Sequence, residues 1–270
     1  MPKISKPQIL LTNDDGIQSP GLWAAASALA AIGRVTVAAP AEQSSGMGRS
    51  LPSTSSGIIR EEKLRVNGQE WMVYAVSGSP AQAVQHAVLE IMPRKPDLVV
   101  SGINYGENVG LGTTISGTVG AAMEAASLGI PALAISLEAA KQFHLSYSSE
   151  VDFSVAADFA ALFGRLLLRK KMPPDVDLLK VDVPSDATPE TTWLITRVAR
   201  QGYYEPLPPK RSSWNVAGRL GYKEAAILDG EDEDSDVVVL RRRRQIAVTP
   251  ISLDLTSRID LSSLERHLRK

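Results

Sequence analysis

The sequence predicts an α/β fold, doubly wound around a mainly parallel, Rossmann-like sheet and followed by a β-rich C-terminal extension. Three observations carry that expectation. Short apolar runs bounded by turn residues alternate with stretches whose apolar residues recur at helical spacing. The alternation persists from Gln8 to Val183, as a series of βαβ units requires. Beyond Pro184 the character changes to prolines and short strand-like pieces.

Residues 8–11 are short, apolar and preceded by Pro7, which suits a buried strand. Ser19 and Pro20 read as the N-cap and first-turn proline of a helix with Leu22, Ala26, Leu29 and Ala30 at helical spacing. Gly33 ends that helix, and β-branched residues 34–40, closed by Pro40, give the second strand. Residues 41–57 are rich in serine and glycine, and a loop of this length is either functional or a flexible excursion. Residues 58–68 and 70–76 read as a two-stranded meander turning at Asn67 and Gly68. Ser79 and Pro80 open a helix with Val84, Ala87, Val88 and Ile91 on one face.

A third core strand covers 97–102, and a glycine-punctuated loop runs on to Thr114. Ser116 starts an alanine-rich helix ending at Gly129, and 131–136 is the next strand. Residues 153–168 carry an apolar stripe through Phe159, Phe163 and Leu167, and 178–183 form the last strand of the alternating part. In the extension, 193–199, 237–240 and 245–248 read as strand-like and 261–268 as a short helix. We expect one domain, with a core over about 1–184 and an extension over about 185–270.

Composition narrows the function classes. A hydrophobic content of 44% in 270 residues is ample for a real core. A net charge of −1 argues against a general nucleic-acid or membrane-surface role, which needs a basic excess. With no cysteine, disulfides, thiolate zinc sites, iron–sulfur clusters and cysteine nucleophiles are excluded, and a cytoplasmic location is expected. No signal-peptide apolar region fits the N-terminus, and no apolar run approaches the roughly 18 residues of a membrane-spanning helix. An acidic stretch at 229–236 is followed by Arg241, Arg242, Arg243 and Arg244; we read the two as a solvated, self-paired hairpin.

The chemistry centres on Asp14 and Asp15, which end the first strand and precede Gly16. In open α/β sheets, ligands bind in the crevice at the carboxyl ends of the strands, where this pair falls. By itself the pair reads equally as an Asx-turn and a solvated acid at a helix start. Other residues expected at that edge change the balance: the Ser44-Ser45 loop, Asn104 and Asn108, and the helix start Ser116-Gly117-Thr118. Two carboxylates, a hydroxyl and an amide oxygen form a hard-oxygen shell suited to Mg²⁺, Mn²⁺ or Ca²⁺. A Ser-Gly-Thr helix start offers N–H groups and a favourable dipole to a phosphate, although it also serves as a plain N-cap. A divalent metal beside such a helix start suggests phosphoester hydrolysis. His86 and His144 read as a helix residue and a loop residue rather than ligands.

Leu-Leu-Thr-Asn-Asp-Asp-Gly-Ile-Gln-Ser-Pro-Gly at 10–21, Ala-Pro followed by Ser45 and Gly46, Val-Ser-Gly-Ile-Asn at 100–104 and Ser-Gly-Thr-Val at 116–119 stand in one order. Through these motifs the sequence resembles the SurE survival-protein family of metal-dependent nucleotidases. The likeness continues through Pro184 and reappears at 248–251 and 254–256. The resemblance implies hydrolysis of nucleoside 5′-monophosphates, often 3′-monophosphates, and sometimes short polyphosphate, with one divalent cation such as Mg²⁺ or Mn²⁺ per subunit. It places metal ligands at Asp14, Asp15, Ser45 and Asn104, and a phosphate pocket at Gly46, Asn108, Ser116, Gly117 and Thr118. Either Asp14 or Asp15 is then expected to hold the metal and orient the attacking water. The resemblance also implies a homodimer or homotetramer built through the C-terminal extension.

The chain departs from the family pattern at Ser44, where an arginine is common, and at Gln82, near which an aspartate is common; a usual Gly-Tyr pair before the 248–251 strand is missing. Two other readings compete. A phosphoacceptor signalling domain needs a third aspartate where this chain has Asn104, which cannot form an acyl phosphate. A nucleotide-binding scaffold would use the same ligands without turnover.

Overall fold

The computed structural model describes residues 6–66, 68–144, 147–148, 150–228 and 230–269. The first strand, β1 (Gln8–Thr12), is buried on both faces: Ile9 and Leu11 join one apolar cluster and Leu10 the other. A continuous apolar run does this in the middle of a sheet, because successive side chains point to opposite faces. Helix α1 (Pro20–Leu29) leads to β2 (Arg34–Pro40) and then to a hairpin of β3 (Ile59–Val66) and β4 (Gln69–Val76). Asn67, expected in its turn, lies outside the described residues, as does Asp229 of the acidic stretch.

Helix α2 (Pro80–His86) starts with a complete capping box. Ser79 Oγ accepts from the Gln82 N–H at 3.1 Å, and Gln82 Oε1 accepts from the Ser79 N–H at 3.0 Å. The family departure at Gln82 therefore has a structural use here. A π-helical turn, Ala87–Ile91, extends α2. Strand β5 (Leu98–Tyr105), helix α3 (Gly117–Ser127), strand β6 (Ala132–Leu137), helix α4 (Ser154–Arg169) and strand β7 (Leu178–Val183) complete the alternating part. Strand β5 runs past Gly102, where the sequence suggested its end, and its register with β6 shifts between Ser101 and Asn104. Gly102 sits at φ +132, and a Cβ there would lie 2.2 Å from the Ile135 carbonyl oxygen, so no larger residue fits.

Among the described residues a sheet of nine strands has the order β3-β4-β2-β1-β5-β6-β7-β11-β8, with β8 at Trp193–Ile195 and β11 at Ile246–Ile251. The strands from β4 to β7 in that order are mutually parallel. Strand β3 is antiparallel to β4, β11 is antiparallel to β7, and β8 runs parallel to β11. Helices α1 and α4 pack on one face with the cluster of Leu22, Leu29, Phe159 and Phe163; α2 and α3 pack on the other with Val84, Val119 and Ala122. This is the doubly wound α/β arrangement the alternation implied.

The extension adds β8 and the almost wholly buried β11 to this sheet. It also carries a separate hairpin, β9 (Tyr204–Leu207) with β10 (Gly221–Glu224), which the sequence reading did not contain. Its strands have four residues each, and one includes Pro206. Residues 237–240, read as strand-like, instead lie in helix α5 (Asp236–Arg241). Ser235 Oγ caps that helix by accepting from the Val238 N–H, and the valines are buried, so tertiary context overrides their β preference. Helix α6 (Leu261–Leu268) is as expected and has no buried residue.

The arginine run does not pair simply with the acidic stretch before it. Arg243 bridges Glu233 at 2.8 Å, but Arg241 reaches Glu224 at 2.8 Å and Glu138 at 3.6 Å. Arg244 reaches Glu138 at 2.5 Å and Asp186 at 2.7 Å. Two of the four arginines thus tie α5 and the turn after it to strand β10 and to the loops after β6 and β7.

A second ionic cluster is fully buried. Lys180 Nζ donates to Asp182 Oδ2 at 2.5 Å and to Asp236 Oδ2 at 3.0 Å, with all three side chains at 0–1% exposure. Burial works against a charged lysine, but the two aspartates outweigh it and hold Lys180 protonated above its ordinary range. Lys180→Met is expected to strand two buried carboxylates and cost about 3–5 kcal/mol in urea unfolding. Arg94→Ala, which removes the exposed Asp97 pair, is expected to cost no more than about 1 kcal/mol. Equal small losses in both variants would contradict the assignment of Lys180 as the cluster's counter-ion.

Candidate active site

At the carboxyl end of β1 the chain turns sharply, and Asn13 organises the turn. Its Oδ1 accepts from the Gly16 N–H at 3.1 Å, and its Nδ2 donates to the Gly16 carbonyl at 3.0 Å. The Asx-turn considered for the aspartates is therefore made by their neighbour, which leaves both carboxylates for other work.

Asp14 is buried against the start of α3. Its Oδ1 accepts from Thr118 Oγ1 at 2.5 Å, and the Thr118 backbone also donates toward it. A Cβ on Gly117 would lie 2.7 Å from Asp14 Cβ and 2.9 Å from Oδ2, so the glycine lets the carboxylate sit on the helix end. Asp15 faces a different set: its Oδ2 accepts from the Tyr105 N–H at 3.1 Å, and its Oδ1 accepts from Gln43 Nε2 at 3.2 Å. Burial raises both carboxyl pKa values, and the neighbouring Asp14 raises Asp15 further. Among the described residues, neither acid forms an ion pair with a lysine, arginine or histidine. Two buried acids without a protein cation favour a bound one. Among those residues no group of three or more His, Asp or Glu could hold a metal, so any further ligands must be neutral oxygens.

Such oxygens are at hand. Asn104 Nδ2 donates to the Gly106 carbonyl at 2.6 Å, which commits its amide nitrogen and leaves its Oδ1 as the acceptor. Ser45 and Gly46 are exposed at the tip of the second loop. That loop is pinned to the helices beneath it. The Gly48 N–H donates to the Ile115 carbonyl at 3.0 Å, Arg49 bridges Glu124 at 2.7 Å, and Gln82 Nε2 donates to the Pro52 carbonyl at 2.9 Å. Ser44, the other family departure, donates its N–H to the Asp14 carbonyl at 2.7 Å.

Asp14, Ser45, Gly46, Asn104, Asn108 and Ser116 all line one cavity of about 200 Å³. Asp15, Gly117 and Thr118 do not line it; Gly117 and Thr118 stand behind Asp14. Ser116 Oγ accepts from the Val119 N–H at 3.1 Å, which makes it the N-cap of α3 as well as a wall residue. Asn108 is held on both sides: its N–H donates to Asp182 Oδ1 at 2.7 Å and its Nδ2 to Ser136 Oγ at 2.7 Å. The Gly110 N–H donates to Asp236 at 3.2 Å, so the buried lysine cluster anchors this wall.

Glu107, His144, Tyr204 and Tyr222 also line the cavity; the sequence reading gave Glu107 and His144 no role in the site and did not contain the two tyrosines. Tyr204 and Tyr222 come from the β9–β10 hairpin and meet edge to face at 5.2 Å. His144 is a loop residue as read, with ring nitrogens 3.1 Å from the Tyr222 hydroxyl and 2.9 Å from the Ala139 carbonyl. Burial lowers its pKa and favours the neutral ring. His86 lies in α2, 2.5 Å from Glu90 and away from the cavity. The only sequence signal for the aromatic wall was the tyrosines themselves, set among prolines and charges.

Glu107 is 4% exposed, and burial pushes its carboxyl up to about 7 from an ordinary 4.5. A folded acid that holds its proton longer than the unfolded chain loses stability as pH rises between those values. Glu107→Gln, neutral throughout, is therefore expected to gain on the wild type by up to about 3 kcal/mol between pH 4.5 and pH 8. Parallel unfolding curves at the two pH values test this, and a constant difference between the proteins would refute it.

The sequence model of the family described as Survival protein SurE matches residues 9–205. A protein of Methanocella arvoryzae named 5′-nucleotidase SurE is 39% identical, over 97% of this chain and 98% of its own length. A protein of the same name from Thermococcus gammatolerans is 40% identical, over 97% of this chain and 96% of its own. The crystal structure of a SurE protein from Aquifex aeolicus superposes with a TM-score of 0.76 at 31% identity, covering 98% of this chain and all of that one. On its motifs, its fold and these likenesses, the chain belongs to the SurE family.

Proposed function

We propose that this protein is a divalent-metal-dependent phosphomonoesterase that hydrolyses nucleoside 5′-monophosphates. The observation that carries the reading is the pair of buried acids that, among the described residues, have no protein counter-ion and stand beside a cavity lined by Ser45, Asn104 and Ser116. The names of its relatives, 5′-nucleotidase SurE, supply the substrate class. Nucleoside 3′-monophosphates and short polyphosphate belong to the same proposal as further substrates.

Asp14, Asp15, Ser45 and Asn104 would hold the cation. The donor set fits a hard ion: two carboxylates, a hydroxyl and an amide oxygen, with no competing soft ligand. When bound, a divalent cation polarises a phosphoryl oxygen and lowers the pKa of a water. Of the two aspartates Asp14 is the one that lines the cavity, and we assign it the orientation of the attacking water; both oxygens of Asp15 already accept bonds from Gln43 and Tyr105. Gly46, Asn108, Ser116, Gly117 and Thr118 would form the phosphate pocket. The hydroxyls of Ser116 and Thr118 are committed to Val119 and Asp14, so the phosphate contribution of α3 rests on its first-turn N–H groups and its dipole.

Phosphate release from a panel of nucleoside 5′- and 3′-monophosphates and tripolyphosphate, with EDTA or added Mg²⁺ or Mn²⁺, tests the reading. Release is expected only with metal, and Asp15→Asn is expected to lose about 100-fold or more, as befits a ligand rather than its support. Asp14→Asn should lose at least as much; full turnover in that variant would remove Asp14 from its assigned role. Thr118→Val, which deletes the hydroxyl behind Asp14, is expected to cost about 10-fold. Nucleotide binding without release under any metal would favour a scaffold.

Assembly into a homodimer or homotetramer through residues 185–270 is part of the proposal. Trp214 is 91% exposed, and Leu220, Leu261 and Leu268 are exposed on the same extension. Sedimentation equilibrium of the intact chain should give a mass two or four times that of one subunit; a monomer at micromolar concentration would exclude both.

A further inference from the structure

One wall of the cavity is built of rings. Tyr204 and Tyr222 are half-buried, line the cavity and meet edge to face at 5.2 Å, while His144 lies close to parallel with Tyr222 at 6.4 Å. Both hydroxyl protons are committed to the protein. The Tyr204 hydroxyl donates to Glu107 Oε1 at 3.3 Å. His144 Nε2 faces the Ala139 carbonyl at 2.9 Å and must donate to it, so in the neutral ring Nδ1 is the acceptor, and the Tyr222 hydroxyl donates to it at 3.1 Å. What the two tyrosines hold out to a ligand is therefore ring surface rather than a hydrogen-bond donor.

The wall is also fixed by the protein itself. Lys141 Nζ donates to the Tyr222 carbonyl and lies 4.0 Å from the centre of the Tyr222 ring. Arg241 ties both ends of the hairpin: it reaches Glu224, two residues beyond Tyr222, at 2.8 Å, and its guanidinium lies 5.4 Å from the ring centre of Tyr203, the neighbour of Tyr204. A surface held in place beforehand loses little binding energy to ordering when a ligand arrives. The same cavity carries Asp14, Ser45, Asn104 and Ser116, the oxygen donors and helix start assigned to metal and phosphate. A pocket that joins an oxyanion site to a wall of aromatic rings suits a phosphate ester whose alcohol part ends in a flat ring. Nucleoside monophosphates have that form, and simple sugar phosphates do not.

Building on the nucleotidase reading, we propose that Tyr204 and Tyr222 are specificity-determining residues whose rings receive the nucleobase, so that the protein prefers a nucleoside monophosphate to the same sugar phosphate without a base. The base is held against ring surface, as bases are on aromatic platforms generally. Tyr222 acts through its ring and not through its hydroxyl, which His144 already occupies. Neither Asp14 nor the metal shell makes this distinction, because ribose 5-phosphate carries the same phosphate on the same sugar position as adenosine 5′-monophosphate.

The test compares kcat/KM for adenosine 5′-monophosphate and ribose 5-phosphate in the wild type, Tyr222→Leu, Tyr204→Leu and Tyr222→Phe. The wild type is expected to favour the nucleotide by about 10-fold or more, the worth of one stacked base. Each leucine variant should lower that ratio several-fold through a higher KM for the nucleotide, and either serves if the other does not fold. Tyr222→Phe keeps the ring and should keep the ratio. A ratio lost as fully in Tyr222→Phe as in Tyr222→Leu would assign the effect to the hydroxyl and overturn the proposal. A loss shared equally by both substrates in the leucine variants, with the ratio intact, marks a packing role and overturns it as well. Equal kcat/KM for the two substrates in the wild type overturns it while leaving the nucleotidase reading standing. If the wild type releases no phosphate with Mg²⁺ or Mn²⁺, that reading fails instead, and calorimetric affinities for the same two compounds decide about the tyrosines. A preference of about 10-fold in binding that the leucine variants lose upholds the proposal, and equal binding or none overturns it.

Discussion

Lys180 carries a positive charge in the interior of the sheet, with Asp182 on its own strand and Asp236 at the start of α5 as its counter-ions. Buried charges persist only when they are matched and their remaining bonding capacity is filled. Here the filling is done by backbone N–H groups, three of them from distant segments: Asn108 to Asp182, Gly110 and Ala199 to Asp236, and the adjacent Val237 also to Asp236. Four pieces of chain are thereby drawn to one point. One of them is the loop after β5, which forms a wall of the cavity. The site thus depends on an ionic interaction that does not itself line the cavity.

The two groups of buried acids are treated in opposite ways. Asp182 and Asp236 have a lysine between them, whereas Asp14 and Asp15 have only hydrogen-bond donors. Neutral donors favour the ionised form of a carboxylate without cancelling its charge. Among the described residues the acids at the edge of β1 thus have no protein cation while those at β7 share one, and that difference distinguishes a place for a ligand from a place for structure. The helix start of α3 takes part in the same arrangement, since it holds Asp14 rather than standing free.

Much of this was legible in the sequence. The alternation of apolar runs and helical stripes fixed the core elements from β1 to β7, because each segment's local pattern agrees with its place in the sheet. The short motifs at 10–21, 100–104 and 116–119 do converge on one region, with Asp14, Asn104 and Ser116 on a single cavity. What stayed hidden depends on long-range pairing. Residues 237–240 carry three valines and a leucine, a strand-like composition, yet they are helical because Ser235 caps them and a buried place awaits each side chain. The β9–β10 hairpin has too few residues, with a proline among them, to declare itself, and its partners His144 and Glu107 lie far away in sequence. Nothing local marks Lys180 as a hub either, since its second counter-ion is 56 residues away.

Among the described residues strand β8 has a single neighbour in the sheet, β11, which is made about fifty residues later. A chain emerging from the ribosome therefore completes β1 to β7 and then holds β8 without this partner until β11 has been made. During that interval β7 is an open edge, Lys180 lacks Asp236, and the acids at β1 are present before the wall beside them is tied down. The wall of the cavity is thus tied down late, and the seconds for which an exposed strand edge invites a wrong neighbour are set by how quickly the segment between β8 and β11 is translated.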